Sequence, residues 1–180
     1  MKTRKISKLL SYALRHKPEA FQLDMDENGW VNLDQLITNV KLSGQIINLD
    51  LIQQAVVNND KQRFRLDLAN NRIRANQGHS VKVDLELSER IPPEFLYHGT
   101  SINTVQKIKE GGIKKMNRQQ VHLSKDIQTA KIVGSRHGSP IVLIVAAQKM
   151  HDQGMKFYLS ENGVWLTDYV HPDFIEFNKI

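Results

Sequence analysis

Two adjacent prolines, Pro92-Pro93, in the segment LSERIPPEF (residues 87–95) most limit the folds open to this chain. Because proline has a fixed φ and no amide hydrogen, the pair fits neither a helix interior nor a central strand. The hydrophobic spacing also changes across the pair. We therefore expect two domains, residues 1–88 and 89–180, joined by a linker. A chain of 180 residues allows each domain a small core of its own.

The first half has the spacing of three helices followed by a β-hairpin. The helices are predicted at about residues 6–15, 33–40 and 50–57, and the hairpin strands at 63–68 and 72–76. The first helix carries Arg15-His16 at its end and is stopped by Pro18, and Asn70-Asn71 supplies the hairpin turn. Three helices and a basic hairpin are typical of a winged-helix domain, which binds nucleic acid.

The second half alternates short strands with helices, which predicts an α+β fold with a mixed or antiparallel sheet. FLYHGT predicts a strand that breaks at Gly99, and PIVLIVAA predicts a buried strand ending near Ala147. Further strands are predicted at VHLS, KFYLS, GVWLTD and FIEF, and helices at SINTVQKIKEGG and DIQTAKIVGSRHG.

The positive charge of the chain, a net +6, is concentrated in two segments. Residues 1–17 contain six Lys and Arg and no acidic residue, and residues 61–82 contain six against only Asp67. Such clusters predict a surface for a polyanion, although a merely solvated basic surface explains the first cluster equally well. Strand alternation puts Arg72 and Arg74 on one face, away from the core, so we expect both side chains to be exposed.

Several common sites are absent from the sequence. There is no GxGxxG after a strand and no GxxxxGK[ST] segment, so a Rossmann site and a P-loop are not supported. The chain has no cysteine, and His98 and His122 lack the spacing of zinc ligands, so we expect no metal. The longest apolar run, IVLIVAA, is too short to cross a bilayer. We expect a cytosolic protein in a reducing compartment, with no membrane partner.

Arginine occurs with histidine nearby at three places: Arg15-His16, Arg74 with His79, and Arg136-His137. The planar guanidinium group binds phosphate through two parallel N–H donors, and several arginines together suit a phosphate monoester. Each arginine also has a structural explanation. Arg15 would complement the helix dipole, Arg74 would be an exposed hairpin residue, and Arg136 would end its helix.

Six segments, LSYALRHKP, RIRANQGHS, FLYHGT, VHLS, GSRHGSP and ENGVWLT, occur in this order. Together they closely resemble the NAD-dependent RNA 2′-phosphotransferase family, known as KptA in bacteria. The resemblance implies an N-terminal winged-helix lobe that binds RNA and a C-terminal ADP-ribosyltransferase-like lobe that binds NAD⁺. It also implies two steps. The RNA 2′-phosphate displaces nicotinamide from NAD⁺, and the ribose 2″-hydroxyl then attacks phosphorus, which releases 2′-OH RNA and ADP-ribose 1″,2″-cyclic phosphate.

The resemblance also assigns site residues. The catalytic residues are Arg15, His16, Arg74 and Arg136. The NAD⁺-binding residues are His98, Gly99, Thr100, His122, Leu123 and Ser124, with Gly99 allowing close backbone approach. We add Arg72, Asn76, Gln77, His79 and Ser80 as RNA-binding residues. The expected partners are NAD⁺ and an RNA carrying an internal 2′-phosphate, and we expect a monomer.

Two other classes of function stay open at this stage. One is an ADP-ribosyltransferase that stops after the first step and marks a terminal phosphate of RNA or DNA, or a protein. The other is a non-catalytic winged-helix nucleic-acid binder whose second lobe senses NAD⁺. The set of three arginines and His16 argues against the binder, because binding alone does not require it. Analysis of the reaction products separates all three functions.

Overall fold

The computed structural model describes residues 2–59 and 61–177. The described residues form two compact units, one ending at Glu86 and the other beginning at Leu87, and each unit has its own hydrophobic core. The α+β prediction is confirmed, and every pairing between described strands is antiparallel. None of the described helices has the length and apolar character needed to span a membrane.

The first unit contains three α-helices and one small sheet. The elements are α1 (Lys2–Ser11), β1 (Val31–Asn32), α2 (Leu33–Leu42), α3 (Leu49–Val57), β2 (Phe64–Asp67) and β3 (Arg72–Ala75). The strand order is β1-β3-β2, with Ile73 opposite both Val31 and Leu66. Asn32 caps α2 by accepting hydrogen bonds from two backbone N–H groups, and Asn48 caps α3 by accepting one. The three helices and the hairpin were predicted, whereas β1 was not.

The end of the first helix has a special geometry. Residues Tyr12–His16 continue α1 as a π-helical turn, in which the Lys17 N–H donates to the Tyr12 carbonyl at 2.9 Å. Pro18, which then begins a 3₁₀ turn (Pro18–Phe21), prevents the helix from continuing. Short π-helical segments occur often at functional sites. Arg15 and His16 both lie in this wider turn.

The second unit is built around two three-stranded sheets, β11-β7-β4 and β6-β9-β8, and a strand pair, β10-β5. The strands are β4 (Leu96–Ser101), β5 (Ile113–Lys114), β6 (Val121–Leu123), β7 (Pro140–Val145), β8 (Tyr158–Leu159), β9 (Trp165–Thr167), β10 (Tyr169–Val170) and β11 (Ile175–Glu176). The helices are α4 (Val105–Gly111), α5 (Ile127–Gly134) and α6 (Ala147–Asp152), and 3₁₀ turns cover Ile102–Thr104, Ser135–His137 and Pro172–Phe174.

The sequence predicted that the strand breaks at Gly99, but β4 continues through Gly99 to Ser101. A side chain at Gly99 would overlap the carbonyl oxygen of Ala130 in α5. A side chain at Gly134 would lie 2.7 Å from the carbonyl oxygen of Thr100. The two glycines therefore allow α5 to pack directly on β4, which explains the glycine at position 99 by packing.

The apolar run PIVLIVAA contains a strand boundary that the sequence prediction missed. Strand β7 ends at Val145, the Ala146 N–H donates to the Phe174 carbonyl at 2.9 Å, and α6 begins at Ala147. The strand is only half-buried, because Leu143 and Val145 are buried while Ile144 is partly exposed. A short apolar run does not distinguish strand from helix by its spacing, and alanine favours the helix.

Candidate functional site

The loop after β3 returns to the end of the first helix. The Ser80 N–H donates to the Arg15 carbonyl at 2.8 Å, and the Ser80 hydroxyl donates to the same oxygen at 3.3 Å. The Ser80 hydroxyl also lies 3.1 Å from Nδ1 of His16. These bonds bring together Arg15, His16 and the loop of residues 76–80, in which Gln77 is partly exposed. The residues are distant in sequence but form one cluster in the first unit.

The Arg15 side chain is held in place by the start of β2. Its Nη2 donates to the carbonyl of Arg63 at 3.2 Å, and its guanidinium carbon lies 5.6 Å from the centroid of the Phe64 ring. The same Arg63 carbonyl accepts the Asn76 N–H at 2.9 Å. Because both contacts use fixed parts of the sheet, the guanidinium group is oriented before any ligand binds.

Arg74 is buried, with 7% of its surface exposed, so the prediction that it is solvent-exposed is wrong. Its Nη1 lies 3.4 Å from the Asn28 carbonyl, and its guanidinium carbon lies 4.7 Å from the centroid of Trp30. Asp26 closes this turn, because its Oδ1 accepts the N–H groups of Asn28 and Trp30 at 3.0 and 2.8 Å. Ile73 does lie in the core, as predicted, but the turn of residues 26–30 covers the opposite face.

Trp30 packs against three arginines and was assigned no role from the sequence. The guanidinium carbons of Arg72 and Arg65 lie 4.3 and 5.8 Å from its ring centroid, in addition to that of Arg74. Arg72 also forms an ion pair with Asp67 at 2.9 Å. Arg65 and Arg74 are directly opposite each other in the β2–β3 pair. The negative face of the indole ring offsets the repulsion between them. The available signal was an aromatic residue directly after a turn segment, DENGW.

His79 lies near Arg15, His16 and Arg74 and is almost completely buried, with 2% of its surface exposed. Neither ring nitrogen has a hydrogen-bond partner within residues 2–59 and 61–177. Burial, together with the positive charges of Arg15, His16 and Arg74, lowers the pKa of His79 to about 4. The imidazole is therefore neutral at neutral pH and has an unused N–H donor, which is costly unless a ligand accepts it.

Asn76 shows the same incomplete hydrogen bonding. It is 7% exposed, its Nδ2 donates to the Gln62 carbonyl at 2.6 Å, and its Oδ1 has no partner in the described part of the chain. Buried polar atoms are normally satisfied, and the open atom of Asn76 is an acceptor, so it suits a hydroxyl or N–H donor of a ligand and not a phosphate oxygen.

A second cluster lies in the other unit, around His98 and His122. Nδ1 of His98 is 3.2 Å from the carbonyl oxygen of His122, and Arg118 Nη1 makes a short contact with Nδ1 of His122. Burial lowers the pKa of His98, the hydrogen bond to the His122 carbonyl opposes this, and the charge of Arg118 lowers it again. Ser124 and Tyr97 join the two sheets here by two backbone hydrogen bonds of 2.7 and 2.9 Å. Arg118 was missed, although a basic residue shortly before VHLS was a visible signal.

The remaining predicted site residues of the second unit differ in accessibility. Leu123 is 1% exposed and belongs to the core, so it offers a ligand only its main chain. The hydroxyl of Thr100 is 2.6 Å from that of Thr104. Arg136 is exposed in the 3₁₀ turn that follows α5. The second unit thus holds Arg136 and the two histidines, while the first unit holds Arg15, His16 and Arg74.

The chemistry of the first cluster suits an anion. Its guanidinium, imidazole, hydroxyl and amide groups are the side-chain donors that bind phosphate in proteins. Over residues 2–59 and 61–177, no group of three or more His, Asp or Glu side chains is placed to hold a metal ion. The second cluster combines two imidazoles with one guanidinium, which suits a ligand that has both aromatic and anionic parts.

Comparison with known proteins gives the same family over almost the whole chain. The family model described as "RNA 2'-phosphotransferase, Tpt1 / KptA family" matches residues 1–169. A probable RNA 2'-phosphotransferase of Flavobacterium johnsoniae is 50% identical over 174 residues, which is 97% of this chain and 96% of that protein. Proteins with the same name are 48% identical in Fusobacterium nucleatum (96% of this chain, 97% of that one) and 50% identical in Rhodopirellula baltica (95% and 94%).

Proposed function

We propose that this chain, which belongs to the RNA 2′-phosphotransferase, Tpt1 / KptA family, has the activity known for that family, the NAD-dependent removal of a 2′-phosphate from RNA. It is an enzyme of the transferase class. The observation that carries our assignment of the phosphate site is the cluster of Arg15, His16 and Arg74 around His79, whose ring nitrogens have no partner in the described residues.

The first unit is proposed as the winged-helix lobe that binds the RNA, with the 2′-phosphate between Arg15 and Arg74. Two features support this assignment. The Arg63 carbonyl orients the guanidinium group of Arg15, and Trp30 with the Asn28 carbonyl orients that of Arg74. Two fixed guanidinium groups match the charge of a phosphate monoester better than mobile lysines do.

The neutral state of His79 suits the first step of the reaction. The nucleophile is a phosphate oxygen that is already ionised, so the site must orient it without removing its charge. A neutral imidazole donates one hydrogen bond and adds no positive charge, whereas an imidazolium would attract the nucleophile more strongly and lower its reactivity. His16, held by Ser80, is assigned to orientation of the same phosphate or to proton transfer.

The second unit is proposed as the ADP-ribosyltransferase-like lobe that binds NAD⁺. We assign His98, Thr100, His122 and Ser124, with the backbone of Gly99 and Leu123, and add Arg118 because it contacts His122. The lowered pKa of His98 keeps this imidazole neutral, which favours its hydrogen bonding or stacking with uncharged parts of the dinucleotide.

The second step transfers the phosphate away from the RNA. Attack of the ribose 2″-hydroxyl on phosphorus places negative charge on the phosphoryl oxygens, and preorganised guanidinium groups stabilise that charge most. Arg15 and Arg74 are assigned to this role. Arg136 is assigned to the same phosphate or to the dinucleotide.

Product analysis tests the proposal. An oligonucleotide with an internal 2′-phosphate, mixed with the protein and NAD⁺, is expected to give 2′-OH RNA, nicotinamide and ADP-ribose 1″,2″-cyclic phosphate. Arg15→Gln should abolish product formation, while Arg90→Gln, which removes an exposed arginine of the linker segment, should leave it unchanged. Accumulation of ADP-ribosylated RNA would instead identify a transferase that stops after the first step, and no turnover would favour a binding protein.

A further inference from the structure

The two basic segments of the sequence meet at a cleft in the first unit. The cleft has a volume of about 340 Å³ and lies between the start of α1 and the residues that follow α3. Its lining includes Arg4, Ser7, Asn58, Asn59, Lys61 and Arg63. Arg4 belongs to the basic segment 1–17 and the other two cations belong to the segment 61–82, so the fold combines charges that are far apart in sequence.

The wall of the cleft is ordered by Asn59, which is buried with 8% of its surface exposed. Its Nδ2 donates to the Ser7 hydroxyl at 3.3 Å, and its Oδ1 accepts the Lys61 N–H at 3.1 Å and Nη1 of Arg63 at 3.2 Å. One amide side chain therefore connects α1 to the segment before β2. It also fixes the guanidinium group of Arg63 at the cleft, where burial lowers the pKa of that group.

Arg63 connects the cleft to the phosphate cluster. Its side chain lines the cleft, while its carbonyl oxygen accepts hydrogen bonds from Nη2 of Arg15 and the N–H of Asn76. An RNA strand whose 2′-phosphate is bound by Arg15 therefore has a cationic cleft next to Arg63, the residue whose carbonyl orients that arginine. The negative charges nearest to the reacting phosphate on such a strand are its own phosphodiesters.

We propose that the cleft lined by Arg4, Lys61 and Arg63 binds a backbone phosphodiester of the RNA, on a part of the strand outside the nucleotide that carries the 2′-phosphate. This inference rests on the proposed function. The cleft supplies the guanidinium group of Arg4, the ammonium group of Lys61 and the guanidinium group of Arg63, which Asn59 holds in place. Cationic groups of this kind bind the phosphodiesters of a nucleic-acid backbone. Its volume is that of a site for a nucleotide-sized group. It contacts the backbone and so contributes affinity and register without reading sequence.

The test compares two variants that remove the same number of charges. Arg4→Gln/Lys61→Gln alters the cleft, and Lys41→Gln/Lys107→Gln alters exposed lysines on α2 and α4. Each is assayed with a dinucleotide that carries the 2′-phosphate at its only linkage, and with longer single strands extended on the 5′ or the 3′ side. The cleft variant should raise KM about tenfold for one of the extended substrates, with kcat, KM for NAD⁺ and KM for the dinucleotide unchanged. For that substrate, the slope of log KM against log salt concentration should fall by about 0.7 for each phosphate contact that the variant loses.

The outcomes separate the cleft from the reaction centre. Equal KM values for the two variants on both extended strands would overturn the proposal, and so would a loss of turnover on the dinucleotide. If the unaltered protein turned over none of these substrates, the proposed function would fail instead. The role of the cleft would then be tested by fluorescence anisotropy with an RNA strand that lacks the 2′-phosphate. The affinity for this strand must fall only in the cleft variant.

Discussion

Acid should destabilise the first unit through the protonation of His79. The folded protein holds the pKa of this histidine at about 4, compared with an ordinary value of 6.5. As pH falls, the unfolded chain takes up a proton near pH 6.5, while the folded chain resists it until about pH 4. The stabilising contribution is therefore complete above pH 6.5 and is lost between pH 6.5 and pH 4. The total loss is about 3 kcal/mol, of which about 2 kcal/mol falls between pH 7 and pH 5.

The assay can be confined to the first unit. The chain has two tryptophans, and Trp165→Phe leaves Trp30 as the only reporter. Urea unfolding of this variant, followed by fluorescence at pH 7 and pH 5, gives the change in the free energy of unfolding. Adding His79→Gln should reduce that change by about 2 kcal/mol, because the unfolded chain then has no histidine to protonate at this position. His171→Gln, which removes a histidine of the second unit, is the matched control, because Trp30 lies in the first unit and should report no difference.

Equal changes with and without His79 would refute the assignment of a buried, neutral imidazole at the phosphate site. A second measurement covers the case in which His79→Gln does not fold. NMR titration of the His79 ring in the unaltered protein should show no protonation down to about pH 5, and a midpoint near 6.5 would contradict the structure.

Four further measurements test the site. Arg74→Lys should lower the single-turnover rate about 100-fold by misplacing the phosphate, whereas Arg72→Lys should change it by about twofold, and similar effects of the two would contradict the assignment. Trp30→Leu should lower kcat about tenfold without changing KM for NAD⁺, with Trp30→Phe intermediate; an unchanged kcat would remove Trp30 from the support of Arg74. His98→Ala should raise KM for NAD⁺ about tenfold and leave RNA affinity unaltered, and the opposite pattern would move the dinucleotide elsewhere. RNA binding should weaken steeply between 50 and 200 mM salt, measured by anisotropy, and a flat response would exclude the basic segments.

Local spacing accounts for the part of the fold that the sequence predicted. The helical repeat of α1, the alternation in β2 and β3 and the asparagine turn between them are all patterns of neighbouring residues. Strands β1 and β10 have only two residues each, and they exist because β3 and β5 offer partners. No local pattern of that length specifies a strand, so such elements depend on contacts that form after the rest of the unit has folded.

The burial of Arg74 shows the same limit within the site. Alternation predicted the faces of β3 correctly, because Ile73 and Ala75 are both in the core. It could not predict that the turn of residues 26–30 covers the other face, since that depends on where the chain passes before β1. Of the three arginines around Trp30 only Arg74 is buried, and the Trp30 ring supplies an aromatic surface for its guanidinium group there. The residue types were visible in the sequence, but their accessibility was not.

The state of His79 depends on a contact between two distant segments. The sequence resemblance assigns Arg15 and His16, and we added His79 and Ser80 from a separate motif, with no indication that the two motifs meet. In the structure, the N–H and hydroxyl of Ser80 bind the carbonyl of Arg15, and the adjacent histidine is buried beside the charges of Arg15 and His16. The contact that positions the arginine backbone thus also keeps the imidazole neutral. A substitution that loosens this loop must therefore alter both the placement of the phosphate ligand and the protonation of its neighbour, so the two properties should change together.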